Sequence, residues 1–380
     1  MSRLSSRFRL GTLLLILAVL AGAAPTSAMV PSGSPLEGGL SIAIDSMRQL
    51  ATDSRENKKQ KRTTKPRPGL PIDLGRDGRL TMLLIGSDWR PSGGGERTDV
   101  MMVATIDPTN GRAAIVSIPR DMAFIPLAGG GTSGATRVNS IYLLRYKRRS
   151  LEHKDVDRKA LDKLTRDIAR FLGTEIDHWA FTRFSTFTNL INTLGGVKVN
   201  VDDAVLDSSY HHGRSRGVWF PKSKNYRLRG DPKCKPKPRK CRSALVYTRS
   251  RKGTHGSTFN SDYRRAERQQ ELVFSAVRQV LKERGSGLAM LGLMLRVRPT
   301  IETSIPTTSE AAAQLYALLQ KVKLSKSDMK VLEPGPFASA AEGSAIQPNV
   351  ANVRAWVDKT FYNVKKRNRK NRAGDDGSSD

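Results

Sequence analysis

Short apolar runs and longer stretches with helical spacing follow one another from about residue 80 to residue 285. Three runs near the start predict buried strands, at Met82–Ile85, Val100–Ile106 and Arg112–Ile118. The sequence DPTNG at 107–111 is typical of a turn. Because this connection is short, the second and third strands should form an antiparallel hairpin.

Helical spacing then alternates with further strand signals. The pattern predicts three helices and two strands, the helices at about 157–172, 184–194 and 262–284 and the strands at 197–201 and Leu245–Arg251. Gly195 and Gly196 should end the second helix. Interleaved strands and helices predict an α/β fold built on a mixed sheet.

The N-terminus carries the pattern of an export segment. Within residues 1–28, three arginines precede an apolar run from Leu10 to Ala24. Cleavage as a signal peptide and retention as a membrane anchor both fit this composition. In either case the arginines stay in the cytoplasm and the remainder of the chain crosses the membrane.

Two segments are too polar to bury a core. Residues 29–79 include the stretch 55–67, with seven Lys or Arg against one Glu, and residues 363–380 include six Lys or Arg at 365–372. Self-repulsion keeps such segments extended. We therefore expect a basic flexible linker and a disordered charged tail on either side of a folded domain at 80–362.

The whole chain of 380 residues has a formal net charge of +30, which attracts anions. Nucleic acid, an anionic membrane or wall surface, and phosphorylated substrates all fit that charge. The export segment counts against nucleic acid, because the folded part would lie outside the cell.

The two cysteines, Cys234 and Cys241, lie close together in DPKCKPKPRKCRS. Their spacing does not suit a four-ligand zinc site, and no histidine lies in the loop. A local disulfide is the favoured interpretation in an exported chain, with two free thiols as the alternative.

Charged residues follow or precede each of the first three predicted strands. Asp88 comes after the first strand and Asp99 opens the second, while Arg120 and Asp121 follow the third. The hairpin brings Asp99 and Arg120 to one edge of the sheet. Antiparallel pairing of the first and second strands would bring Asp88 there as well. Each residue alone is also typical of a turn or a helix cap, so the joint placement carries the hypothesis.

Two arginines and a helix stripe form a second candidate group. Alternation along the last predicted strand would place Arg249 and Arg251 on one face, about 6.5 Å apart. Guanidiniums at that spacing could each bind one phosphate of a diphosphate. On the next helix, Asp262, Arg265 and Gln269 share a stripe beside the apolar one, so the helix should line a pocket. The alternative is a solvated edge strand.

Seven motifs occur in order along the chain: LLIGSDWR (83–90), RTDVMMVATID (97–107), VSIPRD (116–121), RVNSIY (137–142), LINTLGGVKVNV (190–201), ALVYTRSR (244–251) and SDYRRAERQQ (261–270). In these motifs and their order, the chain resembles the LytR-CpsA-Psr family of cell-wall glycopolymer ligases. The resemblance is strong over about 80–285 and looser to about 361.

The resemblance implies an α/β/α sandwich around a central mixed, largely antiparallel sheet with a lipid-binding groove. It also implies an extracytoplasmic enzyme on a retained membrane anchor. Such enzymes take a glycan from a polyprenyl-diphosphate carrier and join it to peptidoglycan through a phosphodiester. The implied partners are thus the lipid-linked glycan, the peptidoglycan acceptor and membrane lipid, with no nucleic acid.

The resemblance also assigns roles to residues by motif position. Asp88 and Asp99 would hold Mg²⁺ as cofactor. Catalysis would rest on these two carboxylates with Arg120, Arg249 and Arg251. The residues implied to surround the diphosphate are Arg97, Arg120, Arg249, Arg251 and Arg265, with Asp262 and Gln269 beside them.

Three features depart from the family pattern. Arg264 stands where the family usually has Gly, the spacer 252–260 is longer than usual, and the loop from Cys234 to Cys241 lies outside the core pattern. Alternative functions are a non-catalytic binder of polyprenyl diphosphate or wall polymer, a polyprenyl-diphosphate hydrolase and, least supported, a nucleic-acid-binding regulator. The two carboxylates count against a pure anion binder, because they repel anions.

Overall fold

The computed structural model describes residues 72–89, 96–148, 155–212, 215–235, 239–251, 261–283, 301–306, 308–323, 328–340 and 345–362. Within these stretches no helix is both long and apolar enough to cross a membrane. The predicted export segment at 1–28, most of the predicted linker and the predicted tail at 363–380 lie outside them.

The strands among the described residues are β1 (Leu80–Ser87), β2 (Val100–Ile106), β3 (Ala113–Ser117), β4 (His178–Arg183), β5 (Val197–Val201), β6 (Val205–His212), β7 (Ser215–Phe220), β8 (Ser223–Leu228), β9 (Glu302–Thr303), β10 (Met329–Val331), β11 (Ala338–Ala340) and β12 (Ile346–Pro348).

The α-helices in the same stretches are α1 (Val138–Ile141), α2 (Arg158–Leu172), α3 (Phe184–Thr193), α4 (Ala244–Arg249), α5 (Ser261–Glu283), α6 (Ser309–Lys321) and α7 (Val350–Phe361). A π-helical turn at Tyr142–Tyr146 continues α1.

The central sheet has six strands in the order β10-β3-β2-β1-β4-β9. β2 pairs antiparallel with both β1 and β3, as the hairpin prediction requires, and β4 pairs antiparallel with β9. β1 pairs in parallel with β4, and β3 in parallel with β10. The sheet is therefore mixed, with antiparallel pairings in the majority.

Both faces of this sheet are buried, which explains the continuous apolar runs in its strands. Met82 and Leu84 of β1 belong to a core shared with α3, α5 and α6. Leu83 and Ile85 of the same strand belong to a second core, shared with α2 and α7. Helices thus cover both faces, and the chain folds as an α/β/α sandwich.

The boundary of the folded part lies further N-terminal than residue 80. Ile72 is fully buried and its backbone N–H donates to Gln314 at 2.8 Å, and Leu74 joins the same core. The linker prediction is therefore wrong for 72–79. Pro, Gly and basic residues around these two apolar side chains obscured them, and the hydrogen-bond partner of Ile72 lies 242 positions away.

The segment Leu245–Arg251 is not a strand. Ser243 caps α4, because its Oγ accepts the Val246 N–H at 3.0 Å, and the helix runs to Arg249. Ala244 and Tyr247, three positions apart, are buried on its inner side. A short apolar run such as Ala244–Tyr247 does not distinguish helix from strand by its periodicity, but the serine before it is a helix-start signal.

The two cysteines form a disulfide, as predicted. The loop is fixed further by its own backbone: Cys241 N–H donates to the Trp219 carbonyl at 2.8 Å, and its carbonyl accepts the Tyr226 hydroxyl at 2.7 Å. The disulfide loop therefore packs against β7 and β8, just before α4 begins.

Candidate active site

A cavity of about 750 Å³ lies between one face of the central sheet and the elements α3, α4, α5 and β6. At the sheet edge where β1 ends and β2 begins, its lining includes the exposed Arg97. The predicted site residues that line it are Asp88, Arg97, Asp99, Arg120, Arg249, Arg251, Arg265 and Gln269. We call this group the charged mouth.

The lining changes character with depth. Along α5 it passes from Arg265 and Gln269 to Leu272, Val273 and Ala276, over about 16 Å of helix at 1.5 Å per residue. An apolar wall completes the deep part, with Leu84 and Met102 from the sheet and Phe187 and Leu190 from α3. A charged mouth and an apolar interior therefore belong to one cavity.

Asp99 is held at the mouth by two hydrogen bonds. Its Oδ2 accepts Arg120 Nη1 at 3.1 Å, and its Oδ1 accepts Asn139 Nδ2 at 3.0 Å. Asn139 is buried in α1, and its backbone carbonyl accepts the Thr98 N–H at 2.9 Å. The hairpin thus brings Asp99 and Arg120 together as predicted. The role of Asn139 is visible only in the fold, since it lies 40 positions from Asp99.

Asp121 orients Arg120 from the other side. Its Oδ2 accepts Arg120 Nε at 3.4 Å, and its Oδ1 accepts Arg137 Nη1 at 3.3 Å. The Arg120 guanidinium is therefore held between Asp99 and Asp121, with its side chain only 13% exposed. A planar guanidinium held in this way has a defined direction for further hydrogen bonds.

Asp88 and Arg97 bracket the loop between β1 and β2. Asp88 N–H donates to the Arg97 carbonyl at 3.0 Å, and Arg97 N–H donates to Asp88 Oδ1 at 2.8 Å. This reciprocal pair fixes the two ends of the loop at the cavity. This contact among the described residues engages Oδ1 of Asp88, so Oδ2 is the oxygen that could take a further ligand.

Arg249 and Arg251 both reach the cavity, although by a different route from the one predicted. Arg249 is the last residue of α4, and its guanidinium carbon lies 4.5 Å from the centroid of the Phe184 ring. Arg251 follows Ser250 and is exposed. Their shared placement comes from a helix end and the turn after it, not from alternation along a strand.

Asp207 fixes that turn, and nothing in the sequence singled it out. It is buried in β6, where its Oδ2 accepts Ser250 Oγ at 2.9 Å and the Arg251 N–H at 3.0 Å. Arg268 of α5 also stabilises this turn, because its guanidinium donates hydrogen bonds to the backbone carbonyls of Tyr247 and Ser250. Burial lowers the pKa of Arg268.

The predicted stripe on α5 is confirmed for two of its three residues. Arg265 and Gln269 are buried and line the cavity, and Gln269 Nε2 donates to the Thr248 carbonyl at 3.1 Å. Asp262 lies in α5, but its side chain is outside the described residues. Arg264 is exposed and pairs with Glu267 at 3.0 Å, so this departure from the family pattern points away from the site.

The donor set at the mouth suits a hard divalent cation. Mg²⁺ binds proteins through one or two carboxylates, with waters and substrate phosphates completing six oxygen ligands. Asp88 and Asp99 both line the cavity beside six arginines, the five of the charged mouth and Arg183. The residues present therefore fit Mg²⁺, provided that a phosphate group supplies further oxygens. Among the described residues no cluster of three or more potential metal ligands occurs that would bind an ion unaided.

Fold and site together define an α/β protein whose cavity combines arginine and aspartate side chains with an apolar interior. The chain belongs to the LytR_cpsA_psr family, whose model matches residues 41–336.

Two relatives carry the name polyisoprenyl-teichoic acid–peptidoglycan teichoic acid transferase. TagV of Bacillus subtilis (strain 168) is 25% identical over 237 residues, which are 62% of this chain and 52% of TagV. TagU of Bacillus mycoides (strain KBAB4) is 25% identical over 265 residues, 70% of this chain and 71% of TagU. The match thus spans about half the length of TagV.

The fold has also been seen in solved structures. The crystal structure of B. subtilis TagV superimposes with a TM-score of 0.52 at 21% identity, covering 75% of this chain and 96% of that chain. The two proteins share the fold.

Proposed function

We propose that this protein is an extracytoplasmic phosphotransferase. It moves a glycopolymer from a polyprenyl-diphosphate carrier to peptidoglycan through a phosphodiester link. The observation that carries the proposal is the single cavity in which the charged mouth leads into an apolar interior. Membership of the LytR_cpsA_psr family and the transferase names of TagV and TagU support it.

A polyprenyl diphosphate matches both parts of this cavity. Its isoprenoid chain would lie against Phe187, Leu190 and Leu272, where burial of apolar area contributes about 25 cal/mol per Å². Its diphosphate would lie among the arginines of the mouth, which form charge-assisted hydrogen bonds to phosphate oxygens. An inorganic anion would use only the mouth.

The chemistry requires one P–O bond to form and one to break. An acceptor hydroxyl oxygen attacks the glycan-side phosphorus, and the bond from that phosphorus to the bridging oxygen breaks. Polyprenyl phosphate leaves with the bridging oxygen, and the hydroxyl proton passes to solvent. Arg120, fixed between Asp99 and Asp121, stabilises the negative charge that builds up on the leaving phosphate.

Asp88 and Asp99 are the residues that would hold Mg²⁺, as in the cofactor hypothesis from the sequence. A bound Mg²⁺ would neutralise phosphate charge in the transition state. The hydrogen bonds from Arg120 and Asn139 orient the Asp99 carboxylate for that role. Arg249 and Arg251 hold the diphosphate, at positions set by the end of α4 and by Asp207.

The site would work outside the cytoplasmic membrane. The export segment at 1–28 supports this location, and its retention as an anchor would keep the cavity near membrane-embedded substrate.

A reconstituted transfer assay tests the proposed function. Purified protein, Mg²⁺, a short-chain polyprenyl-diphosphate glycan and peptidoglycan fragments should yield a glycan–peptidoglycan phosphodiester and polyprenyl phosphate, both detectable by mass spectrometry. Release of glycan phosphate to water in the presence of acceptor would indicate a hydrolase. Tight lipid binding without any turnover would indicate a binding protein.

A further inference from the structure

An ion cluster lies beside the charged mouth, and its centre is the buried Glu96. The Glu96 side chain is 0% exposed. Its Oε2 accepts Lys147 Nζ at 3.0 Å, and its Oε1 accepts Arg183 Nε at 2.9 Å and Ser87 Oγ at 3.0 Å. A carboxylate this deeply buried is stable only when it is paired and hydrogen-bonded, and here it has all three partners.

These partners come from three separate parts of the fold. Ser87 is the last residue of β1, Arg183 the last residue of β4, and Lys147 follows the π-helical turn. Glu96 itself stands directly before Arg97, near the end of the loop from β1 to β2. One carboxylate therefore fixes this loop to two neighbouring strands and to the turn beside α1.

The same cluster reaches the start of that loop. Ser87 Oγ accepts the Trp89 N–H at 3.1 Å, and the Arg183 guanidinium carbon lies 4.5 Å from the centroid of the Trp89 ring. Asp88, between Ser87 and Trp89, shares two hydrogen bonds with Arg97. Both loop ends that carry mouth residues are thus held by contacts that lead back to Glu96.

We infer that Glu96 is a positioning residue, which places Asp88 and Arg97 at the cavity mouth by pairing with Lys147 and with Arg183, which itself lines the cavity. Glu96 does not line the cavity, so it acts through these neighbours and not on the substrate. The expected effect of Glu96 on transfer kinetics rests on the proposed function. Its expected effect on the positions of Asp88 and Arg97 is independent of that function.

The net charge of the cluster provides a test of this positioning role. Glu96 with Lys147 and Arg183 carries a net charge of +1. Glu96→Gln keeps the side-chain shape but leaves two buried cations facing a neutral amide, and their repulsion should displace the loop. Combining it with Lys147→Met returns the cluster to +1. The double variant should therefore be less impaired than Glu96→Gln alone.

Hydrogen exchange measures the loop geometry without any ligand. In Glu96→Gln, the amides of Asp88 and Arg97 should exchange about tenfold faster than in the wild type, and the double variant should recover most of that protection. Asp107→Asn is the matched control. It removes a charge that accepts Arg79 Nη1 at 3.0 Å at the other end of β2, and it should leave these two amides unchanged.

Transfer kinetics then measure the consequence. Glu96→Gln should raise KM for the lipid diphosphate about tenfold, through the displaced Arg97, and lower kcat through Asp88. Asp107→Asn should lower the melting temperature without changing either constant. If wild-type protein showed no transfer, the proposed function would fail while the exchange result still decided the positioning role.

Two outcomes would overturn the inference. One is a Glu96→Gln protein that is less stable but has wild-type exchange at Asp88 and Arg97. The other is a double variant no better than the single. Should Glu96→Gln not fold, Glu96→Asp keeps the charge but shortens the reach to Lys147 and Arg183, and it should speed exchange at the same two amides by a smaller factor. Unchanged exchange in that variant would equally refute the positioning role.

Discussion

The two ends of the central sheet both carry charged residues, but these residues have different partners. At the end where β2 begins, Asp99 and Arg120 face a cavity of about 750 Å³ with further arginines around it. At the end where β2 finishes, Asp107 accepts Arg79 Nη1 at 3.0 Å and the Thr109 N–H at 2.9 Å. At the first end the charged side chains line a cavity. At the second end Asp107 forms hydrogen bonds within the protein that stabilise the neighbouring turn.

Asp177 extends the contrast at the closed end. Its Oδ2 accepts the Thr81 N–H at 2.7 Å, close to the start of β1. Burial raises the pKa of Asp177 to about 8, and the nearby carboxylates of Asp77, Asp73 and Glu175 act in the same direction. This carboxyl therefore stays protonated at neutral pH and serves the packing of the segment before β1. A charge is tolerated at the mouth because arginines and solvent surround it there.

The largest effect on transfer is expected from substitution of Asp99. Asp99→Asn should reduce Mg²⁺-dependent transfer at least about 100-fold, because it removes a metal ligand's charge and the partner of Arg120. Binding of polyprenyl diphosphate should survive, since the change also relieves repulsion towards phosphate. Transfer rates and isothermal titration on the same variant measure the two quantities.

The matched control lies at the other end of the same strand. Asp107→Asn should leave transfer within about twofold of wild type, because substitutions away from the site act on stability and not on the transition state. Normal transfer by Asp99→Asn with Mg²⁺ chelated would show that the metal role is wrong.

The next effect is expected at Arg249. A charge-assisted hydrogen bond contributes about 1.5–3 kcal/mol, so Arg249→Ala should weaken binding of polyprenyl diphosphate about 10- to 100-fold. Arg249→Lys should restore it only in part, because an ammonium lacks the planar fork and stacks less well on Phe184. Isothermal titration with a short-chain lipid measures the affinities.

Arg112 provides the corresponding control at the closed end, where its Nη2 lies 3.8 Å from Asp328 Oδ1. Arg112→Ala should bind the lipid as wild type does. Equal losses in Arg112→Ala and Arg249→Ala would mean that overall charge, and not the mouth, determines binding.

The smallest effect concerns stability and pH at the closed end. The folded protein holds the Asp177 proton up to about pH 8, whereas the unfolded chain releases it near the ordinary value of 3.8. The unfolded state therefore binds fewer protons between these values, and the free energy of unfolding should fall as pH rises through this window. Asp177→Asn should lose this component of the pH dependence. Urea denaturation at several pH values measures it, and an unchanged slope in the variant would contradict the assignment.

The shared position of Asp88, Asp99 and Arg120 at one edge of the sheet was predictable because it depends on strands that are close in sequence. A hairpin with a five-residue turn places Asp99 and Arg120 at one edge whatever the rest of the chain does, and the pairing of β1 with β2 adds Asp88. The long helix α5 was equally clear, since its periodicity extends over many turns. These elements needed no knowledge of distant partners.

The other features depend on contacts between distant parts of the chain. Asp207 holds a turn 43 positions away, and Glu96 gathers Lys147 and Arg183 from 51 and 87 positions away. No periodicity in one segment reveals such a partner. The sequence also did not predict that the apolar wall lines a cavity. Phe187 and Leu190 have the same helical spacing whether they face a packed core or an open pocket.

In the proposed function, one cavity holds both the diphosphate and the isoprenoid chain. Native mass spectrometry of protein extracted gently from membranes tests it most directly. We expect a bound mass corresponding to a polyprenyl phosphate or diphosphate, retained by Asp107→Asn and lost in Phe187→Asp, which places a charge on the apolar wall. Wild-type protein that emerges free of lipid, or a lipid mass that persists unchanged in Phe187→Asp, would contradict it.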